Sequence, residues 1–335
     1  MANLRDVAER AGVSVATASR VVSGSAAVRP QTRARVERAV RELLYVAPGR
    51  TGPSDAIGLL VPEFGNPVFA ALAQAMETEA TQAGFATILC NTAGSAMREV
   101  DYVHMLLERQ VDGMVFISSE VTDVRGEHSH YRQLLDQGAR FVFVNGGSDS
   151  LPVTAVGVDE RASGRMAAEH LLELGHRRIG FVAGWAFALP TREKLRGRAD
   201  ALREAGLDPA RHVAHAPFTV EGGREALRDL VGGADGERPT AVMCSNDLMA
   251  IGALQEAMTL GLRVPDDLSV VGFDGIEAAA WTQPPLTTIE QPIAEIARTA
   301  VAALRRLIEE PAEAVPSVGF RPRLRQGGTT SPAPA

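Results

Sequence analysis

Residues 4–24 read LRDVAERAGVSVATASRVVSG, and the spacing of their apolar positions decides how the rest of the chain is to be understood. Leu4, Val7, Ala8 and Ala11 fall at i, i+3, i+4 and i+7 and share one face of a helix. Gly12 ends that helix. Ser14 stands where an N-cap belongs, so its hydroxyl can accept a backbone N–H bond from a second helix over about Val15 to Val22. Two short helices joined by a three-residue, glycine-containing turn form a helix-turn-helix. At about 100° per residue, Ala18, Val21 and Val22 point to one side of the second helix, and Ala16, Ser19 and Arg20 point to the other. The second side is small near its N-terminus and carries one fork-shaped cation, which suits a helix seated in the major groove of DNA. Arg20 is expected to pair with a guanine edge, Val15 and Ala16 to meet a thymine methyl, and Ser14, Thr17 and Ser19 to contact phosphate.

A third helix is predicted from Pro30 to about Leu44, with Val36, Ala39, Val40, Leu43 and Leu44 as its apolar stripe. Arg33, Arg35, Arg38 and Arg41 lie off the stripe, facing either backbone phosphate or solvent. The overall charge of −7 hides an asymmetry: the first fifty residues carry nine Arg against four acidic residues, a net of +5, and the remainder carries −12. A basic arm on an acidic body points to a polyanionic partner, although a solvated basic helix has the same charge.

From Ile57 onward, short apolar runs alternate with helical patterns: IGLLVP, FAALAQAMETEATQAG, ATILCN, DYVHMLLERQ, DGMVFIS, YRQLLDQG and RFVFVN. The alternation resumes with AVGV, RRIGFVAG, TAVMCSN and LSVVGFD. It predicts βαβ units with parallel sheets, hence an α/β fold of two doubly wound lobes behind a three-helix head. With 45% hydrophobic and 22% charged residues the composition is that of a soluble globular protein. No apolar run is long enough to span a bilayer, and Arg5, Asp6, Glu9 and Arg10 interrupt any secretory signal, so a cytoplasmic location is expected. Cys90 and Cys244 end apolar runs and read as small buried hydrophobes. An enzyme would need signals that are missing: there is no G-x-G-x-x-G after a strand, no phosphate-binding G-x-x-x-x-G-K-[ST], no G-x-S-x-G elbow and no His/Cys metal cluster. No catalytic residue, metal or cofactor is therefore expected. Glu127, His128 and His130 read as an exposed loop, and His170 and His176 as capping or surface groups.

In doubly wound sheets ligands bind beyond the carboxyl ends of the strands. Asp274 ends LSVVGFD and Asn246 ends TAVMCSN, both placed to hydrogen-bond sugar hydroxyls. Arg192 and Lys194 follow the loop GWAFALPT and offer cationic donors, and Asn145 ends RFVFVN. Phe69, Phe218 and Trp281 are candidates to stack on a ring. Asp247 is expected to cap a helix beginning at Leu248. Polar strand-end residues beside aromatic ones favour a sugar or sugar derivative over a purine as ligand.

The run quoted first, followed by VRPQTRARVERAVREL, resembles the DNA-binding head of lactose/galactose-type (LacI/GalR) bacterial repressors. VDGMVFIS, GHRRIGFVAG, SNDLMAIGAL, LSVVGFDG and PPLTTIEQP resemble the periplasmic-binding-protein-like core of the same family. The resemblance implies a transcriptional repressor, a homodimer on a near-palindromic operator, and an effector bound between the lobes that changes operator affinity. An activator with the same parts is the alternative, as is corepression to induction. An exported solute-binding protein would share the lobes but need a signal peptide in place of the basic head. The family often has Arg where Lys194 stands. It also usually carries a longer linker with a hinge helix whose Leu wedges into the minor groove. Here YVAPGRTGPSDAI is breaker-rich, and no Leu lies between Leu44 and Leu59. Arg50 is read as the linker's minor-groove or phosphate contact instead. The domains expected are a head over 1–46, a linker over 47–56, a two-lobed effector and dimerisation domain over 57–325, and a flexible tail over 326–335.

Overall fold

The computed structural model describes residues 4–23, 28–42, 54–232, 238–310 and 315–334, without the side chains of 41 and 42. The chain divides into two compact units, Met1–Ser54 and Asp55–Ala335. Most of the linker, Arg50 included, lies outside the described residues, as do Leu43 and Leu44.

The first unit contains α1 (Leu4–Ala11), α2 (Val15–Val22) and α3 (Pro30–Glu42). Val7, Ala8 and Ala11 of α1 pack with Ala18 and Val21 of α2 and with Val36 and Ala39 of α3 in one buried cluster. Ser14 is extended and its hydroxyl accepts the Thr17 N–H at 3.2 Å, so α2 starts where the cap chemistry places it. Arg35 corrects the expectation that the off-stripe arginines face phosphate or solvent. Its Nε donates to the Ala11 carbonyl at 3.1 Å and its Nη2 to the Gly12 carbonyl at 2.8 Å. A guanidinium thus closes the carbonyl end of α1, where orphan acceptors and the helix dipole both favour a cation.

The second unit holds two six-stranded sheets. The first lobe orders β11 (Val318–Phe320), β5 (Ala155–Val158), β4 (Phe141–Val144), β3 (Gly113–Ile117), β1 (Ala56–Val61) and β2 (Ala86–Asn91), every pair parallel. The second orders β12 (Arg323–Arg325), β10 (Thr287–Glu290), β9 (Ser269–Asp274), β8 (Ala241–Cys244), β6 (Ile179–Ala183) and β7 (Val213–His215), parallel except where β12 meets β10. β3, β4 and β9 are buried along their whole length, as strands covered on both faces must be, which is why they read as unbroken apolar runs.

Helices α4 (Pro67–Gln82), α5 (Ala96–Glu108), α6 (Ser129–Asp136) and α11 (Ile293–Glu309) cover the first sheet. α7 (Glu160–Glu173), α8 (Leu189–Glu204), α9 (Val220–Val231) and α10 (Asp247–Thr259) cover the second. The chain therefore crosses between lobes three times, after β5, after β10 and after β11.

Three expectations are corrected, of which the first concerns the C-terminal region. Residues 327–334 are no flexible tail. Thr329 is fully buried, its hydroxyl donating to the Val270 carbonyl at 2.6 Å and accepting the Thr287 N–H at 2.9 Å. Ala333 N–H reaches the Leu174 carbonyl at 2.8 Å. His176 is no surface group either: it is fully buried, with Nδ1 2.9 Å from the Thr240 hydroxyl and Nε2 3.0 Å from the Ser331 carbonyl. Burial holds its imidazole below the ordinary pKa, in the neutral form that can both donate and accept. His130 likewise leaves the expected exposed loop for the buried carboxylate of Glu99, 3.2 Å away. Both cysteines are free and buried, as their apolar flanks require.

Candidate functional site

On the head, packing of Ala18 and Val21 against α1 and α3 turns the opposite face of α2 outward. Ser14, Val15, Ala16, Ser19 and Arg20 are exposed and Thr17 is half-buried. The Ser14 and Thr17 hydroxyls lie 2.9 Å apart, joined by the cap, so their positions are fixed by the start of the helix. Among the described residues no acidic group pairs with Arg20. A rigid rod therefore presents a small, mostly neutral face and one uncommitted guanidinium, which is the chemistry that a groove of acceptor atoms recognises.

In the second unit, strand ends bring polar groups from both lobes together. Asn145, just after β4, and Asp274, closing β9, are each bonded to Gln291: the Asn145 amide donates to Gln291 Oε1 at 2.7 Å, and Gln291 Nε2 donates to Asp274 Oδ1 at 2.7 Å. Asn66, the cap of α4, approaches the other Asp274 oxygen at 3.5 Å. The first lobe is thereby joined to the second through Gln291, which sits where the chain crosses after β10. Asn145 and Asp274 both hold backbone angles that side chains rarely adopt, φ of 51° and 120°. Such strain persists only where neighbours over-determine it and gathers at ligand sites. Burial, reinforced by nearby Asp247, pushes the Asp274 carboxyl well above its ordinary range.

Asn246, not Asp247, caps the helix, which corrects the expectation for Asp247. Asn246 is the cap of α10: its Oδ1 accepts the Met249 N–H at 2.9 Å, and its amide points to the Phe218 carbonyl at 3.4 Å. Asp247 is fully buried in the first turn and accepts from the Gly275 and Ile276 N–H groups, each at 2.9 Å, and from the Thr288 hydroxyl at 2.6 Å. It holds the backbone that follows Asp274. Lys194 is buried, with its ammonium 3.6 Å over the Phe273 ring and paired with Glu160, the first residue of α7. Phe218 is half-buried with its ring against Gly184, where any side chain would collide with it. Phe69 is half-buried against the core.

Two candidates do not join this group. Trp281 ends a short 3-10 turn after β9 and is a surface ring, 70% exposed. Arg192 is exposed in the first turn of α8. Asn66, Glu160 and Gln291 were not singled out from the sequence. Gln291 alone carries a local signal, since it follows a strand in the run TTIEQP. Nearby, a cavity of about 620 Å³ is lined by His128, Arg132, Ser148 and Ser150 of the first lobe and Leu189 of the second.

Residues 3–47 match the bacterial regulatory proteins of the lacI family, and residues 168–330 match a periplasmic binding protein-like domain. An uncharacterized HTH-type transcriptional regulator from the aml 5′ region of Streptomyces limosus is 40% identical over 334 residues, covering 98% of this chain and 94% of the relative. Among solved structures, a Lac repressor dimer bound to operator and the anti-inducer ONPF has a TM-score of 0.81 at 28% identity, covering 98% of this chain and 99% of the other. A complex of the transcriptional regulator CelR with cellobiose has a TM-score of 0.75 at 29% identity, covering 98% of this chain and all of the other.

Proposed function

The chain belongs to the lacI family of bacterial regulatory proteins, and from that premise we propose how it works: a homodimeric, cytoplasmic repressor reads a near-palindromic operator with α2 and loosens or tightens its hold when a sugar occupies the space between its lobes. Its family consists of DNA-binding transcriptional regulators, not enzymes. One observation carries the operator contact: α2 turns Arg20, with no acidic partner among the described residues, to the same side as Val15, Ala16 and Ser19. A guanidinium in that position pairs bidentately with guanine O6 and N7, while the Ser14 and Thr17 hydroxyls and Ser19 serve phosphate.

The effector reading rests on the polar bridge of Asn66, Asn145, Gln291 and Asp274, flanked by Lys194, Asn246 and Phe218. These groups now bond to one another across the lobes. Sugar hydroxyls, each both donor and acceptor, replace those bonds and change how the lobes close. The resulting coupling to operator affinity is expected at about 1–3 kcal/mol. Cellobiose in CelR supports a sugar as ligand, and the dimer of the Lac repressor supports a two-fold assembly.

Gel-shift titration of genomic operator fragments tests the operator contact. Arg20→Ala is expected to weaken specific binding by about 1–3 kcal/mol and to relax base preference at one position. Unchanged affinity and preference in this variant sinks the assignment of α2 as the reading helix.

A further inference from the structure

Helices α7 and α8 approach backbone to backbone. A Cβ on Gly164 would fall 2.1 Å from the Lys194 carbonyl oxygen, and one on Gly197 would fall 1.9 Å from that of Arg161. Close approach at this crossing sets Lys194 beside the first turn of α7. There the lysine is 4% exposed, its ammonium paired with the Glu160 carboxylate and resting on the Phe273 ring, one residue before Asp274. The ionisable groups gathered here are thus one ammonium, that of Lys194, and three carboxyl groups, those of Glu160, Asp274 and the adjacent Asp247, with no surplus cation among the described residues. The neighbouring Arg325 is itself paired with Glu290 at 2.9 Å. Arg192 is exposed and makes no contact with the group among the described residues.

We propose that Glu160 determines specificity: by holding the Lys194 ammonium, it reserves the space between the lobes for uncharged polyols and excludes phosphorylated or carboxylated sugars. The inference rests on the sugar reading above. A phosphate or carboxylate needs a free ammonium or guanidinium to offset its lost hydration. Here it must break a buried pair, which leaves the Glu160 carboxylate without compensation, and must also face Asp274. Neutral hydroxyls meet no such cost, because they donate to the carboxyl oxygens and accept from the amides of Asn66, Asn145 and Gln291.

Calorimetric titration of the full-length protein with matched pairs, cellobiose against cellobiose 6′-phosphate and glucose against glucose 6-phosphate, provides the test. The neutral member is expected to bind at least about tenfold tighter. Glu160→Gln, which keeps the shape and removes the charge, is expected to shrink that ratio to about threefold or less. A phosphorylated sugar binding the unaltered protein as tightly as its neutral partner overturns the inference and leaves the sugar reading standing. Absence of binding by every sugar, neutral or charged, overturns the sugar reading itself. A ratio unmoved by Glu160→Gln in a folded variant removes Glu160 from the role; should that variant not fold, the ratio in the unaltered protein still decides whether charge is excluded.

Discussion

Asp274 has a φ of 120°, a conformation it keeps because the next two backbone N–H groups are held by the Asp247 carboxylate. Asp247 makes three hydrogen bonds, yet burial pushes its pKa up to about 7. A carboxyl whose folded pKa lies above its unfolded value binds more protons when folded. Its contribution to stability is therefore complete below the unfolded pKa of 3.8 and is lost as pH rises towards about 7. Asp247→Asn keeps the shape and removes the titration: its Oδ1 can take both backbone donors while the Thr288 hydroxyl turns to accept from the amide. Relative to this variant, the unaltered protein is expected to lose melting temperature between pH 4 and pH 7, read by calorimetry across that range. Equal slopes for the two proteins would show that Asp247 does not carry the dependence.

Among elements, the irregular segment that follows β12 carries more of the fold than its composition suggests. Residues 327–333 contain little that is apolar, and they are anchored by the hydroxyls of Thr329 and Ser331, which donate to the Val270 and Pro265 carbonyls, by the Ser331 N–H on the Ser269 hydroxyl, and by backbone bonds to β9 and to the end of α7. His176 is the pin, bridging Thr240 before β8 and the Ser331 carbonyl. His176→Ala leaves buried donors and acceptors without partners and is expected to cost about 2 kcal/mol of stability. Calorimetry reads that cost, and limited proteolysis is expected to show cleavage after Arg325 that the unaltered protein resists. In the head, the same logic applies to Arg35. Its two bonds to the end of α1 span 24 and 23 residues of sequence, and Arg35→Ala is expected to lower head stability by about 1 kcal/mol.

For the whole molecule, lobe closure and assembly are the two relevant motions. The lobes are tied by the Asn145–Gln291–Asp274 relay and, at another point, by the Val124 N–H on the Phe187 carbonyl at 3.1 Å, with Arg125 stacked 3.5 Å over the Phe187 ring. Exposed apolar side chains lie on both lobes: Leu89 and Met97 on the first, Met258, Leu260 and Trp281 on the second. In the homodimer proposed above, a second copy of the chain is the occupant assigned to them. Trp281→Asp is expected to weaken the dimer by about tenfold or more, measured by sedimentation equilibrium, with the melting profile of the lobes retained. An unchanged association constant would place Trp281 outside the interface.

The amino-acid sequence alone determined the three-helix head, the Ser14 cap, the outward face of α2 and the alternation of strands and helices. Each depends on residues within a few positions of one another, and local periods and caps act at that range. Tertiary structure decided which polar groups meet: Asn145 and Gln291 are 146 residues apart, Asn66 and Asp274 are 208 apart, and Glu160 finds Lys194 only because two glycines let their helices touch. Strand-end position marked Asn145 and Asp274 as candidates before any partner was known, whereas Asn66 and Glu160 gave no local sign because the first turn of a helix looks the same whether or not its side chains face a ligand. A side chain's neighbours across a parallel sheet are set by crossover topology, which periodicity does not encode.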